Sequence, residues 1–174
     1  MSSWTERASG FVLDRLSSKD LHKLGYTAVI YDYPVKPRSE EKPRFWENTV
    51  SHVGIWKNAV DFIVPDPRIT PLPIFAPADG VITQIVQSHQ VHGTGEEFAH
   101  FANYLVVVGY FGEIYKIIHI AKDSCVYSVG SKVKRGERLA TTGVNGWMTD
   151  VRHSHFEVGV GVKYQTLKIR WTGV

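Results

Sequence analysis

His153-Ser154-His155-Phe156-Glu157-Val158 is the stretch on which the reading of this chain turns. In a strand, residues two apart point to the same face. Both imidazoles would then project together while Phe156 and Val158 enter the core. Two neutral imidazoles converging on one spot suit a zinc site, where one binds the metal and the other handles protons. The same His-x-His spacing also arises by chance on surface strands, so its neighbours must decide.

Outward from this stretch the signals are mostly strand and turn. A strand is expected over residues 153–160, and a hairpin from 104–108 and 113–120 around Tyr110-Phe111-Gly112. Further strands are expected at 26–33, 60–64, 81–86, 132–134 and 164–171. Loops are expected at 34–43, 65–73, 88–102 and 141–150. One helical segment, 11–25, is divided at Ser17-Ser18-Lys19-Asp20. Residues 1–50 read as an N-terminal extension packed on the core, and 51–174 as the main domain. Many short strands with frequent turns imply an antiparallel sheet, sandwich or barrel. A chain of 174 residues, 43% hydrophobic and 21% charged, suits one ordinary globular domain.

Bulk properties exclude several function classes. The single cysteine, Cys125, rules out an internal disulfide and a cysteine-based zinc site. No apolar run approaches the roughly 18 residues of a membrane helix, and no membrane span is expected. Nothing at the start resembles a secretory signal; location stays open, periplasmic or extracellular if a leader was removed. The net charge of +3 fits an anionic polymer, but no aromatic–basic interleaving marks a nucleic-acid partner.

Two more residues could do chemistry. Asp61 is a lone carboxylate in the otherwise apolar run Val60-Asp61-Phe62, so it faces either a cation or, on an edge strand, water. His119 ends the apolar run Tyr115-Lys116-Ile117-Ile118-His119, a place where most histidines are satisfied core residues. Between and around them lie Phe75-Ala76-Pro77-Ala78-Asp79-Gly80-Val81, Asn103-Tyr104 with its Val-rich continuation, and Val129-Gly130-Ser131-Lys132-Val133-Lys134-Arg135-Gly136-Glu137.

Taken in order over residues 52–160, this series resembles the lysostaphin-type (LytM-like) peptidoglycan endopeptidases. The resemblance implies a mostly β metallopeptidase fold, an antiparallel β-sheet sandwich or barrel-like architecture (the duplicated hybrid motif) behind a short α-containing extension. It implies a Zn2+ cofactor, a wall-peptide substrate, Asp61 and His155 as metal ligands, and His119 and His153 as the histidines that position or deprotonate water. The usual first ligand is a His four residues before the Asp, and here Lys57 stands there. A protonated lysine cannot ligate zinc. Either Lys57 faces away and His52, nine residues before Asp61, supplies the ligand with Gly54 bending the chain, or Lys57 pairs with Asp61 in a degenerate site.

The second possibility makes the chain a metal-free binding or regulatory module. Biotinyl, lipoyl and phosphocarrier domains share the Ala-Pro-x-x-Gly-x-Val piece, but the modified-lysine context of a swinging-arm carrier is missing, and a phosphocarrier would use a histidine pair without an Asp ligand. His89, His92 and His100 sit in a long connection, either solvent-facing or as a substitute ligand. Arg152 is a candidate contact for an acidic substrate group or a solvated side chain, and His22 lies outside the resemblance. The bond cut and the oligomeric state are not readable from sequence.

Overall fold

The computed structural model describes residues 13–35, 45–46, 51–63, 71–148, 153–161 and 164–173. Its elements run α1 (Ser18–Lys23), β1 (Tyr26–Tyr31), β2 (Phe45–Trp46), β3 (Val60–Ile63), β4 (Pro73–Phe75), β5 (Gly80–Val86) and β6 (His92–Gly93). They continue with β7 (Tyr104–Val108), β8 (Ile114–Ile118), β9 (Lys132–Val133), β10 (Arg138–Thr141), β11 (Gly146–Trp147), β12 (His153–Val160), β13 (Gln165–Thr166) and β14 (Lys168–Trp171). The fold is mostly β. None of the described helices is long and apolar enough to cross a membrane.

The main sheet has the order β2-β3-β12-β8-β7-β5-β9, with β13 added to the far half of β12, and all its described pairings are antiparallel. Alternation explains its two faces. Leu105, Val107, Tyr115, Ile117, Phe156 and Val158 are fully buried on one face, against the layer made by β1, β4, β10 and β14. Tyr31, Tyr115 and Phe156 meet there with ring centroids 6.0 Å apart in each pair. The opposite face turns Tyr104, Val106, Lys116, Ile118, His155 and Glu157 toward a groove.

The N-terminal segment joins this core through a buried carboxylate. Glu113, fully buried, accepts the Tyr31 hydroxyl at 2.8 Å and the backbone N–H of Ala28, and lies 2.9 Å from His22 Nε2. β1 pairs in parallel with β14, and β2 pairs with β3 beside Asp61.

The helical region is divided as expected: Leu13 is helical, a turn follows, and α1 starts after Ser17, the N-cap whose hydroxyl accepts from Asp20 N, so Ser18 and Lys19 lie inside the helix. β1 stops at Tyr31, and the expected last strand is two pieces, β13 and β14, flanking Leu167. The expected loops 88–102 and 141–150 are partly ordered by a parallel ladder of β6 with β11, Gly146 opposite His92 and Trp147 opposite Gly93. Gly146 also lets this segment pack closely on Ala102, because a Cβ there would lie 2.8 Å from Ala102 Cα. The 65–73 loop and Arg152 fall largely or wholly on residues 64–70 and 149–152, outside the described residues.

Candidate metal centre

Strand register brings the first two groups together. β3 runs antiparallel to β12 with His155 directly opposite Asp61, and both side chains project to the groove face. His155 Nδ1 lies 2.9 Å from Asp61 Oδ1. The third group comes from a loop. His52 Nε2 lies 3.2 Å from Asp61 Oδ1 and 3.2 Å from His155 Nδ1. All three residues are nearly or fully buried.

These spacings fit a metal. In a tetrahedral site with ligand distances of about 2.0–2.1 Å, the ligand atoms stand about 3.3 Å apart. Two imidazole nitrogens and a carboxylate oxygen within 2.9–3.2 Å of one another are close to that triangle, and the set is the borderline-soft, nitrogen-rich one that zinc prefers.

His52 reaches the triangle because the chain between it and Asp61 is folded back. Gly54 takes φ +58°, opening a 3-10 turn over Gly54–Trp56. Thr166 pins that turn: its hydroxyl donates to Ile55 O at 2.7 Å, and Asn58 Nδ2 donates to Thr166 O at 2.8 Å. Lys57 closes the turn with its side chain exposed, away from Asp61. Lys57→Ala is therefore expected to leave metal content unchanged and to shift stability by no more than about 0.5 kcal/mol, as at other exposed surface positions. Elemental analysis and a urea melt check both.

The site is organised around positive charge. Burial alone would raise the Asp61 pKa, but hydrogen bonds from His155 and His52, with His153 nearby, hold it well below the carboxylate range. Burial would lower the His155 pKa; its contacts with Asp61 and Glu157 outweigh that and push it up to about 9. Glu157, fully buried, lies with Oε2 3.7 Å from His155 Nε2. If His155 Nδ1 held a metal, the ring proton would sit on Nε2, the side that faces Glu157.

His119 and His153 stand beside the triangle, ring centroids 4.8 Å apart and nearly perpendicular. His153 Nε2 is 3.9 Å from Asp61 Oδ1. His119, one residue past β8, adopts φ +64°, an uncommon conformation for a residue with a Cβ. Hydrogen bonds enforce it: His119 N donates to Asn103 O at 2.8 Å, and Gly143 N donates to His119 O at 2.7 Å. Its Nδ1–H donates to Asn145 O at 2.7 Å, leaving Nε2 as an acceptor. Burial, with His153 and His155 close by, lowers its pKa to about 3.

Sequence reasoning marked Asn103 only as the start of a strand motif and did not single out Asn145; together they fix this loop. Asn103 N donates to Asn145 Oδ1 at 2.7 Å, and Asn145 Nδ2 donates to Ile120 O at 2.7 Å. The Asn145-Gly146 pair reads as an ordinary turn, which hides this role. His92 and His100 are exposed, and His89 and His92 line a separate cleft; none joins the triangle. His22 serves Glu113.

The groove has a volume of about 480 Å³. Cross-strand register lays two rows over its floor: Asp61, His155, Ile118 and Tyr104, and beside them Glu157, Lys116, Val106 and Gln84. Trp56 stands at one wall and Trp147 at another, its Nε1–H donating to Thr94 O at 2.8 Å.

Solved structures share this architecture. A zinc-containing peptidase from Vibrio cholerae superposes with a TM-score of 0.52 at 23% identity, covering 80% of this chain and 40% of its own. The M23 metalloprotease pseudoalterin from the deep sea gives 0.56 at 15% identity, covering 81% and 75%. A mutant catalytic domain of the prophage-encoded M23 protein EnpA from Enterococcus faecalis gives 0.50 at 20%, covering 74% and 88%. At these identities the likeness establishes a common fold, and this chain spans less than half of the Vibrio protein. No family model and no curated protein matches the sequence.

Proposed function

We propose that this chain, built on the fold of the lysostaphin-type (LytM-like) peptidases, is a zinc endopeptidase that hydrolyses peptides of peptidoglycan outside the cytoplasmic membrane. The observation that carries the reading is the triangle of His52 Nε2, Asp61 Oδ1 and His155 Nδ1 at 2.9–3.2 Å, buried at the floor of an open groove.

His52, Asp61 and His155 would hold the metal, which supplies Lewis acidity toward a carbonyl and makes water acidic near neutral pH. The protein's own groups manage the rest. His119 has its Nδ1 proton committed to Asn145 O, so Nε2 accepts a hydrogen bond from water and orients it. His153, a neighbour of both His119 and Asp61, takes a proton at its ring nitrogen and returns it to the leaving amine. Extended backbone of the substrate lies across β12, β8 and β7, where the groove floor is open.

A metal-free binding module was suggested by Lys57, but that side chain is exposed. Metal analysis separates the two readings. Elemental mass spectrometry on wild type and His52→Ala, purified without chelator, should give about one zinc per chain in the first and background in the second. His153→Ala should keep zinc while losing digestion of peptidoglycan by at least about 100-fold, the lower end of general acid–base contributions. Wild type without zinc after supplementation, or His153→Ala with full activity, contradicts the proposal.

A further inference from the structure

Lys116 is the one Lys or Arg among the described residues lining the groove. It lies on the floor, one strand from His155 and directly opposite Glu157 and Val106 in the register. Its side chain is 29% exposed, and its ammonium rests 4.0 Å from the centre of the Tyr164 ring. This clamp removes much of the rotamer freedom that normally weakens lysine contacts.

Glu157 meets one side of this ammonium: Lys116 Nζ and Glu157 Oε1 form an ion pair at 3.0 Å. An ammonium offers three donors. Glu157 is also shared with His155. With a divalent cation in the triangle, the charges on this part of the floor are the metal's two positives, one on Lys116, and single negatives on Asp61 and Glu157. Glu96, which also lines the groove, brings the balance over the whole groove to zero, so Lys116 acts as a local contact rather than through an excess of positive charge. The metal contribution to this balance rests on the function proposed above.

We propose that Lys116 forms a carboxylate subsite, so that the groove selects peptides carrying a free carboxylate on a residue next to the bond held at the metal triangle. The position one strand from His155 sets the spacing, since neighbouring strands stand about 4.8 Å apart and successive peptide residues about 3.4 Å. A charge-assisted hydrogen bond from a half-buried, held ammonium is the contact that distinguishes a carboxylate from its amide.

The test uses two peptides that differ only in this group, acetyl-Gly-Gly-Glu-Gly-amide and acetyl-Gly-Gly-Gln-Gly-amide. They are titrated into zinc-loaded protein and followed by NMR, which needs no turnover. Wild type should bind the glutamate peptide about 10- to 100-fold more tightly than the glutamine peptide, the range of a hydrogen bond to a charged group. Lys116→Met should abolish that ratio, Lys116→Glu should invert it, and Lys116→Arg should keep it. Loss of Glu157's partner would weaken both peptides alike and leave the ratio untouched. Equal binding of the two peptides by wild type, or a ratio unchanged in Lys116→Met, overturns the subsite. A preserved preference in protein that cleaves nothing leaves the subsite standing and removes the peptidase reading.

Discussion

Replacing His155 with alanine should empty the metal triangle and abolish peptidase activity. His155 supplies one of three donors and faces both of the others, at 2.9 Å from Asp61 Oδ1 and 3.2 Å from His52 Nε2. Two remaining donors, 3.2 Å apart, hold a divalent ion far less well. Supporting residues around metal ligands cost about 10- to 100-fold in affinity, and loss of a ligand should exceed about 100-fold. Asp61 also loses a hydrogen bond that keeps it ionised, although the groove gives water access to the gap. Competition with a chromophoric chelator reads the affinity, and circular dichroism reads the fold. A folded His155→Ala protein that binds one zinc and digests peptidoglycan at the wild-type rate would sink the mechanism outright. Together with His153→Ala, which should keep its metal, this variant separates a ligand from a proton carrier two residues away on the same strand.

Phe156→Ala should produce the largest loss of stability of any single change in β12. Phe156 is fully buried and touches Tyr31 and Tyr115 at 6.0 Å and Trp171 at 5.7 Å between ring centroids. Truncating a buried Phe costs about 3–5 kcal/mol, from lost transfer energy and the cavity left behind. Against a typical total of about 5–15 kcal/mol, that is enough to leave part of the protein unfolded at physiological temperature. Urea unfolding should show a lower midpoint with an unchanged slope. Phe111→Ala is the matched control: its side chain is 62% exposed at the β7–β8 turn, and its removal should change stability by no more than about 0.5 kcal/mol. A Phe156→Ala midpoint within that same margin would mean the three-ring cluster does not organise the core.

Much of the fold was legible in local alternation. β12 occupies 153–160 as its period-two pattern predicts, and the hairpin of β7 and β8 lies where Tyr110-Phe111-Gly112 divides two apolar runs. Alternation depends only on neighbours in the chain, so it survives without any knowledge of partners. Reading was weakest where tertiary contacts override local preference. The β6–β11 ladder joins segments over fifty residues apart that are each turn-like by composition. β13 and β14 are divided by Leu167, whose N–H donates to Val158 O, a contact with no local signature.

The same division runs through the site. By itself the sequence determined that His153 and His155 share a face, that Asp61 is a lone carboxylate in an apolar strand, and that a lysine stands where a ligand was expected. Which upstream residue meets Asp61 was decided only by tertiary structure. The positive φ at Gly54 and the Thr166 hydrogen bonds, made from β13 more than one hundred residues later, turn His52 inward and Lys57 outward. The groove floor was decided in the same way. Lys116 and Glu157 become neighbours only through the register of β8 on β12, because side-chain partners across a sheet are set by strand pairing and not by distance along the chain.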